Sequence, residues 1–217
     1  GILAALVFIT IYYAYKGNNI LSTVFLVVAF NFKVQAIVIL PVWGLMFLNN
    51  VRRNEILKTI LYPVLAAIAA QVIIVVPFML GNYGLKEIIA VITNSFQVYP
   101  SISVKASNIW HWLVRDKYLL YANDAEVWIL GLTYKQVGLT LFFTSTFFAL
   151  LPMMALAYKG WKTGNDFLRT NKELVWLTGA LVYLLFYFFN TEIHERYCQP
   201  AFIFITAYAF YTGRFFA

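Results

Sequence analysis

Six long apolar stretches dominate this sequence and limit what it can fold into. They lie at about residues 1–15, 20–48, 59–80, 137–158, 174–190 and 198–213. A hydrocarbon core of ~30 Å is crossed by about 20 helical residues, so most of these stretches predict membrane spans. Lipid offers the backbone no hydrogen-bonding partner, and none of the stretches alternates like a barrel strand. We therefore predict an all-α fold, a polytopic transmembrane helical bundle.

The composition excludes an ordinary soluble domain. Hydrophobic residues make up 62% of the 217 positions and charged residues 12%, whereas soluble proteins are about 25% charged. The net charge of +7 comes from Lys and Arg spread among apolar segments, not from the basic stripe of a nucleic-acid-binding protein. We predict an integral, multi-pass membrane protein in contact with lipids, in the cell membrane if its source is bacterial. Residues 1–217 are expected to form a single transmembrane domain.

The distribution of Lys and Arg between the apolar stretches predicts the orientation of the chain. The connections at 49–58, with Arg52 and Arg53, and at 158–173 carry an excess of positive charge, which is typical of cytoplasmic loops. Residues 81–136 lie between them, and their positive charges are nearly balanced by acids. We predict that 81–136 is an extracytoplasmic loop segment and that the connection "HERY" lies on the same outer face.

Aromatic residues among the charges of the outer segment predict short interfacial helices. Trp110, Trp112, Tyr118 and Tyr121 all lie in "NIWHWLVRDKYLLY", and such residues favour the membrane interface. We expect one or two short helices within residues 81–136 to lie along the outer surface.

The stretch 20–48 is too long for one ordinary span and carries Lys33 near its middle. A charged Lys at mid-bilayer costs ~3 kcal/mol or more. Two short helices that meet at residues 31–33 would avoid this cost and place Lys33 near the outer face. One long tilted helix with a buried Lys33 is the competing interpretation.

Charged residues gather in "NTEIHERYCQP" (190–200), between two apolar stretches. Glu192, His194, Glu195 and Arg196 fall within five positions there. They form either a solvated turn, in which Arg196 reaches the lipid headgroups, or a functional site, since ionisable groups at such depth are costly. No zinc-protease motif, nucleotide-binding glycine loop or serine nucleophile motif is present.

Lys33 and Gln35 form a second polar constellation, ahead of Pro41. A cation and an amide at an outer helix junction are suited to bind phosphate, as are His194 and Arg196. The two groups either share one anionic ligand or reach the headgroups independently.

Three segments resemble a family of membrane enzymes. They are "FNFKVQAIVILP", "YPSISVKASNIWHWL" and "EIHERYCQPAF". They are similar to stretches of bacterial GT-C-type glycosyltransferases, in particular the mannosyltransferase-like group related to the GPI mannosyltransferase of the PIG-V kind. The resemblance is most specific in the first and last segments. It implies a GT-C-like bundle whose substrate-binding residues include Lys33, Gln35, Asn108, His194, Arg196 and Tyr197.

The resemblance also implies an activity. It is the transfer of a sugar from a polyprenyl- or dolichyl-phosphate-linked donor to a glycan, lipid or protein acceptor on the extracytoplasmic face. The donor sugar, the acceptor and any need for a divalent metal are left open. A membrane transporter or lipid flippase and a non-catalytic membrane subunit are the alternative functions.

The catalytic base that the resemblance implies is an acid in the first outer loop, and residues 1–20 contain none. Either Glu192 or Glu195 takes this role, or the base lies upstream. We favour the upstream position, because the sequence starts without Met inside an apolar run, and we expect the natural protein to extend by at least one further span.

Overall fold

The computed structural model describes residues 1–51, 55–81, 84–94, 100–114 and 121–213. Arg52, Arg53 and Tyr118 of the sequence predictions lie outside these residues. Of the described residues, 78% are helical, which confirms the all-α class. It divides into two compact units: the first unit comprises residues 1–96 and 153–175, and the second unit comprises residues 97–152 and 176–217.

The helices follow the predicted apolar stretches. The α-helices are α1 (Ile2–Tyr15), α2 (Asn19–Phe32), α3 (Leu40–Asn49), α4 (Ile56–Leu80), α5 (Leu85–Asn94), α6 (Trp110–Leu113), α7 (Tyr134–Thr163), α8 (Phe167–Thr170), α9 (Lys172–Phe189) and α10 (Gln199–Thr212). Two 3-10 segments (Val34–Ile39 and Glu195–Cys198) and an antiparallel pair of strands, β1 (Val127–Ile129) and β2 (Leu132–Thr133), complete the described elements.

Three helices of the described residues are long and apolar enough to cross a membrane: α4, α7 and α9. The apolar window of α4 has a mean hydropathy of 2.4, and only 11% of it is buried inside the protein. Its exposed side chains include Leu57, Leu65 and Ile73. Apolar surface of this extent is costly in water and is favourable in lipid.

The polypeptide leaves the helical conformation at Lys33, as the two-helix interpretation of residues 20–48 predicts. Helix α2 ends at Phe32, and Lys33 is extended, with φ −160° and ψ 129°. The 3-10 segment and then α3 follow, with Pro41 in the first turn of α3. Lys33 lies on the protein surface, and the break beside it shows that the interpretation of one long helix over residues 20–48 is wrong.

Polar residues join the helices of the first unit. Trp43 of α3 donates its indole N–H to Ser22 Oγ at 2.8 Å, and Ser22 donates to the Thr10 carbonyl at 2.8 Å. Asn49 and Asn50, at the end of α3, bond the side chains of Asp166 at 2.8 Å and Arg169 at 3.1 Å. The two connections predicted to be cytoplasmic therefore meet at one end of this unit.

The second unit contains an aromatic core built on Trp110. Its ring packs against Trp128 and Tyr134, with ring centroids 5.4 and 5.6 Å away. Trp110 is 0% exposed and donates its indole N–H to the Phe189 carbonyl at 3.0 Å. Trp110 therefore belongs to the core of the second unit, because its apolar ring and its N–H are both satisfied there.

Residues 81–136 contain the short helices α5 and α6, together with the hairpin of β1 and β2. The two turn residues of the hairpin, Leu130 and Gly131, both have positive φ angles, of 52° and 77°. Such turns match the twist of paired strands. The short helices agree with the prediction, whereas the hairpin was not predicted.

Candidate functional site

A layer of hydrogen-bonded backbone brings distant segments together at one end of the second unit. Residues 100–106 bond residues 122–124 on one side, through Ile102 N to the Ala122 carbonyl at 3.2 Å. They bond residues 190–194 on the other side, through Glu192 N to the Ser101 carbonyl at 2.9 Å. This layer agrees with the prediction that the outer segment and the "HERY" connection lie together. The side of the membrane stays a prediction.

Two charged side chains tether residues 191 and 192 from outside the connection. Thr191 donates its hydroxyl to Asp124 Oδ2 at 2.6 Å. Lys135 Nζ, near the start of α7, lies 2.7 Å from Glu192 Oε1. The Asp124 carbonyl in turn accepts the Lys135 N–H at 3.0 Å. The four residues form one charge network.

The network places two carboxyl groups close together in a shielded position. Asp124 is 1% exposed, and the Glu192 side chain is 19% exposed. Burial raises the pKa of the Glu192 carboxyl, and Asp124 raises it further, whereas the hydrogen bond and the charge of Lys135 lower it. Burial dominates, because the ionised form loses its hydration. Glu192 therefore binds a proton more readily than an exposed glutamate does.

Backbone strain is concentrated in the same layer. Glu192 and Lys105 have φ angles of 59° and 60°, in the left-handed region that residues with a Cβ rarely adopt. Conformations of this kind cost about 1–3 kcal/mol and persist only where surrounding contacts hold them. For Glu192, these contacts include the ion pair with Lys135.

The sequence "HERY" (194–197) forms the turn that precedes α10, and we call it the HERY turn. His194 precedes the 3-10 segment, and its ring meets the Tyr197 ring edge to face, with centroids 5.5 Å apart. Tyr197 also stacks on Phe186 of α9, with centroids 6.4 Å apart. Glu195 and Arg196 are exposed. The aromatic contacts hold the inner side of the turn, and the Glu195 and Arg196 side chains are solvent-exposed on its outer side.

Lys105 lies beside the HERY turn through its backbone. Val104 and Lys105 form isolated bridges with His194. The Lys105 side chain is exposed, as is that of Arg196. Within the part of the chain that the structure describes, neither Lys105 nor Arg196 has an ion pair or a side-chain hydrogen bond. One exposed cation, Lys105, is therefore paired with His194 through its backbone, and another, Arg196, follows His194 in the turn.

Asn108 lies beneath this layer. It is 0% exposed and donates its amide to the Asn190 carbonyl at 3.2 Å. Its Oδ1 has no hydrogen-bond partner among the described residues. A buried acceptor without a donor is costly, and this one belongs to a side chain that bonds Asn190, ahead of the HERY turn.

The structure brings together six of the sequence-predicted site residues: Asn108, Glu192, His194, Glu195, Arg196 and Tyr197 all lie in the second unit. Lys33 is exposed and Gln35 is half-buried in the first unit. The phosphate site shared between Lys33 and the HERY turn stays a prediction. The described residues contain no cluster of three or more His, Cys, Asp or Glu suited to hold a metal ion.

Comparisons with known proteins found no relative of this chain. No family model, no curated protein and no solved structure matches it.

Sequence reasoning missed Asp124, Lys135 and Thr191. Asp124 is 67 residues from Thr191, and Lys135 is 57 residues from Glu192, so no local spacing relates them. Lys105 lies in one of the three segments that resemble the glycosyltransferases, but no role was predicted for it. The available signal was that few acids occur in so apolar a chain, and each one that is buried needs a partner.

Proposed function

We propose that this protein is a membrane glycosyltransferase of the mannosyltransferase-like kind. It moves a sugar from a polyprenyl- or dolichyl-phosphate-linked donor to an acceptor on the extracytoplasmic face. The chain is inserted in the membrane as a multi-pass helical bundle, with α4, α7 and α9 as spans. Their length and hydropathy support the insertion, and the resemblance of the segments around Lys33 and the HERY turn supports the chemistry.

The observation that carries the proposal is the pair of exposed cations beside His194. Lys105 and Arg196 have no partner among the described residues, and the backbone bridges hold Lys105 against His194. Exposed cations without a protein partner attract an anionic ligand. Arg binds phosphate through two parallel hydrogen bonds, and Lys adds a point charge. A lipid-linked phosphate satisfies both.

Charge development in the reaction suits this arrangement. The acceptor hydroxyl attacks the anomeric carbon, and the bond from that carbon to the phosphate oxygen breaks with its electron pair on the phosphate. Lys105, His194 and Arg196 stabilise the negative charge that grows there. The hydroxyl proton passes to a carboxylate, for which Glu195 is the exposed candidate and Glu192 the shielded one.

The test measures binding and transfer separately in lipid nanodiscs. Lys105→Ala and Arg196→Ala should each lower transfer from a defined polyprenyl-phosphate sugar about a hundredfold, the usual effect of losing one group that stabilises transition-state charge. Both variants should also bind undecaprenyl phosphate more weakly. Lys58→Ala is the matched control, since it removes an exposed cation from the start of α4.

Near-normal transfer by both variants would contradict the phosphate site. Movement of the lipid across the bilayer without sugar transfer by the unmodified protein would favour the transporter alternative. Binding of neither the lipid nor its phosphate would favour a non-catalytic subunit.

A further inference from the structure

The HERY turn is attached to the second unit from the side of Asp124 and Lys135. Thr191 and Glu192 lie shortly before the turn, separated from it by Ile193, and each is bonded to one of these two residues. The Lys135 N–H donates to the Asp124 carbonyl at 3.0 Å, so the two residues that hold Thr191 and Glu192 are also bonded to each other. The Asp124 N–H donates to the Pro100 carbonyl at 3.2 Å, which connects Asp124 to the segment that carries Lys105.

We infer that Asp124 is a positioning residue for the phosphate site. Together with Lys135, it holds Thr191 and the strained Glu192 in place, so that His194 stays paired with Lys105 and Arg196 follows it in the turn. The inference rests on the proposed function for its consequence, whereas its structural part stands on contacts within the second unit.

The strain at Glu192 requires restraint from other parts of the chain. A glutamate with φ 59° relaxes to an ordinary conformation unless the residues around it are held. The hydroxyl of Thr191 donates to a carboxylate that is 1% exposed, and bonds of this kind are among the stronger ones in proteins. Relaxation at Glu192 rotates the following peptide and changes the position of the HERY turn.

The native cysteine gives a readout that does not depend on activity. Cys198 is the only cysteine of the chain and lies in the 3-10 segment of the turn, with its Sγ 3.0 Å from the Glu195 carbonyl oxygen. Cys198 is half-buried, so its rate of reaction with a maleimide reports how far the turn shields the sulfur. Thr191→Val removes the hydroxyl at constant volume, whereas Thr191→Ser retains it.

Thr191→Val should raise the Cys198 labelling rate about tenfold, the change expected when one hydrogen bond to a charged group no longer opposes local opening. Thr191→Ser should label at nearly the native rate. Thr206→Val is the matched control, because the Thr206 hydroxyl bonds only the Phe202 carbonyl of its own helix, among the described contacts. Lys135→Met provides an independent variant if Thr191→Val does not fold, since the Lys135 side chain is 37% exposed.

Transfer assays complete the test. Thr191→Val should raise KM for the polyprenyl-phosphate sugar and lower kcat, and Thr191→Ser should restore both. Unchanged Cys198 labelling in folded Thr191→Val and Lys135→Met would overturn the inference. Faster labelling in a protein that shows no transfer even when unmodified would support the positioning role and contradict the proposed enzyme.

Discussion

Lys135 and Glu192 are 57 residues apart in the sequence, yet Lys135 Nζ lies 2.7 Å from Glu192 Oε1. The pair joins the start of α7 to the segment that leads into the HERY turn. Its two side chains are 37% and 19% exposed, so it is shielded more than an ordinary surface pair. A change of charge at Glu192 therefore acts on the position of the turn.

Glu192→Gln should change how stability depends on pH. The pKa of Glu192 is raised in the folded protein above its usual value of 4.5, chiefly by burial. Folding therefore favours the protonated form of Glu192. The stability that this form adds to the free energy of unfolding is complete below about pH 4.5 and is lost as the pH rises through the folded-state pKa. Thermal unfolding between about pH 4 and 8 should show that the native protein loses stability with rising pH relative to the variant.

Glu126→Gln is the control for that measurement, since Glu126 is exposed in the same loop as Asp124. A native protein that gains stability relative to Glu192→Gln over the same range would show that the pKa of Glu192 is lowered instead.

Gly138→Ala should destabilise the second unit. A Cβ at Gly138 would lie 2.7 Å from the Phe189 carbonyl oxygen and 3.3 Å from the Trp110 ring. Because the first of these atoms is backbone, α7 must shift, at a cost of about 1–3 kcal/mol. Gly44→Ala in α3 is the control, since no heavy atom lies within 4 Å of its Cβ position. It should stabilise by about 0.5–1 kcal/mol. Unfolding in detergent compares the two, and equal effects would contradict the close packing.

The amides of Asn31 and Gln71 should be coupled. They exchange two hydrogen bonds, at 2.7 and 3.1 Å, between α2 and the middle of α4. Polar pairs between membrane helices contribute about 0.6–2 kcal/mol. Asn31→Leu and Gln71→Leu should therefore destabilise the first unit singly, and the double variant should lose less than the sum. Additive losses in unfolding experiments would mean that the two amides act independently.

Lys33→Ala should lower transfer about a hundredfold, because the resemblance implies that Lys33 binds the donor and a cation at the phosphate stabilises the charge that grows there. Transfer from a defined polyprenyl-phosphate sugar measures the effect, with Lys58→Ala as the control for loss of an exposed cation from the first unit. Normal transfer by Lys33→Ala would remove Lys33 from the predicted substrate-binding residues.

Cys198 should react with a membrane-impermeant maleimide in intact cells. The positive charges of residues 158–173 predict a cytoplasmic connection, and the predicted outer segment pairs with the HERY turn, so we predict this cysteine on the outer face. Lys162→Cys, in a Cys198→Ser background, should be protected until the cells are opened. The reverse pattern of labelling would invert the topology.

The helices were predictable because the forces that define them are local. The apolar runs at 59–80 and 174–190 become α4 and α9, with ends displaced by only a few residues. The break at Lys33 was predictable for the same reason, since the cost of a buried charge applies whatever surrounds it. The hairpin at β1 and β2 was not, because strands of three and two residues carry too little alternation to be recognised.

The partners of the site residues were not predictable to the same extent. The sequence identifies Glu192 as a charged residue among apolar ones, and burying a charge without a partner costs free energy in any protein. Lys135 pairs with Glu192, and Asp124 holds Thr191, because residues 100–106 lie hydrogen-bonded between these segments. That arrangement belongs to the tertiary structure and leaves no local pattern in the sequence. Trp110 illustrates the same limit, since its burial depends on Trp128 and Tyr134 rather than on its own neighbours.

The break at Lys33 leaves α2 short for a bilayer. Helix α2 has 14 residues, which corresponds to about 21 Å, against ~30 Å of hydrocarbon. A bilayer thins around a helix of this length. Helix α4 of the same unit has 25 residues and is long enough to cross on its own. Bilayer thickness should therefore act on the first unit through α2, and reconstitution in lipids of increasing chain length should lower the stability of that unit.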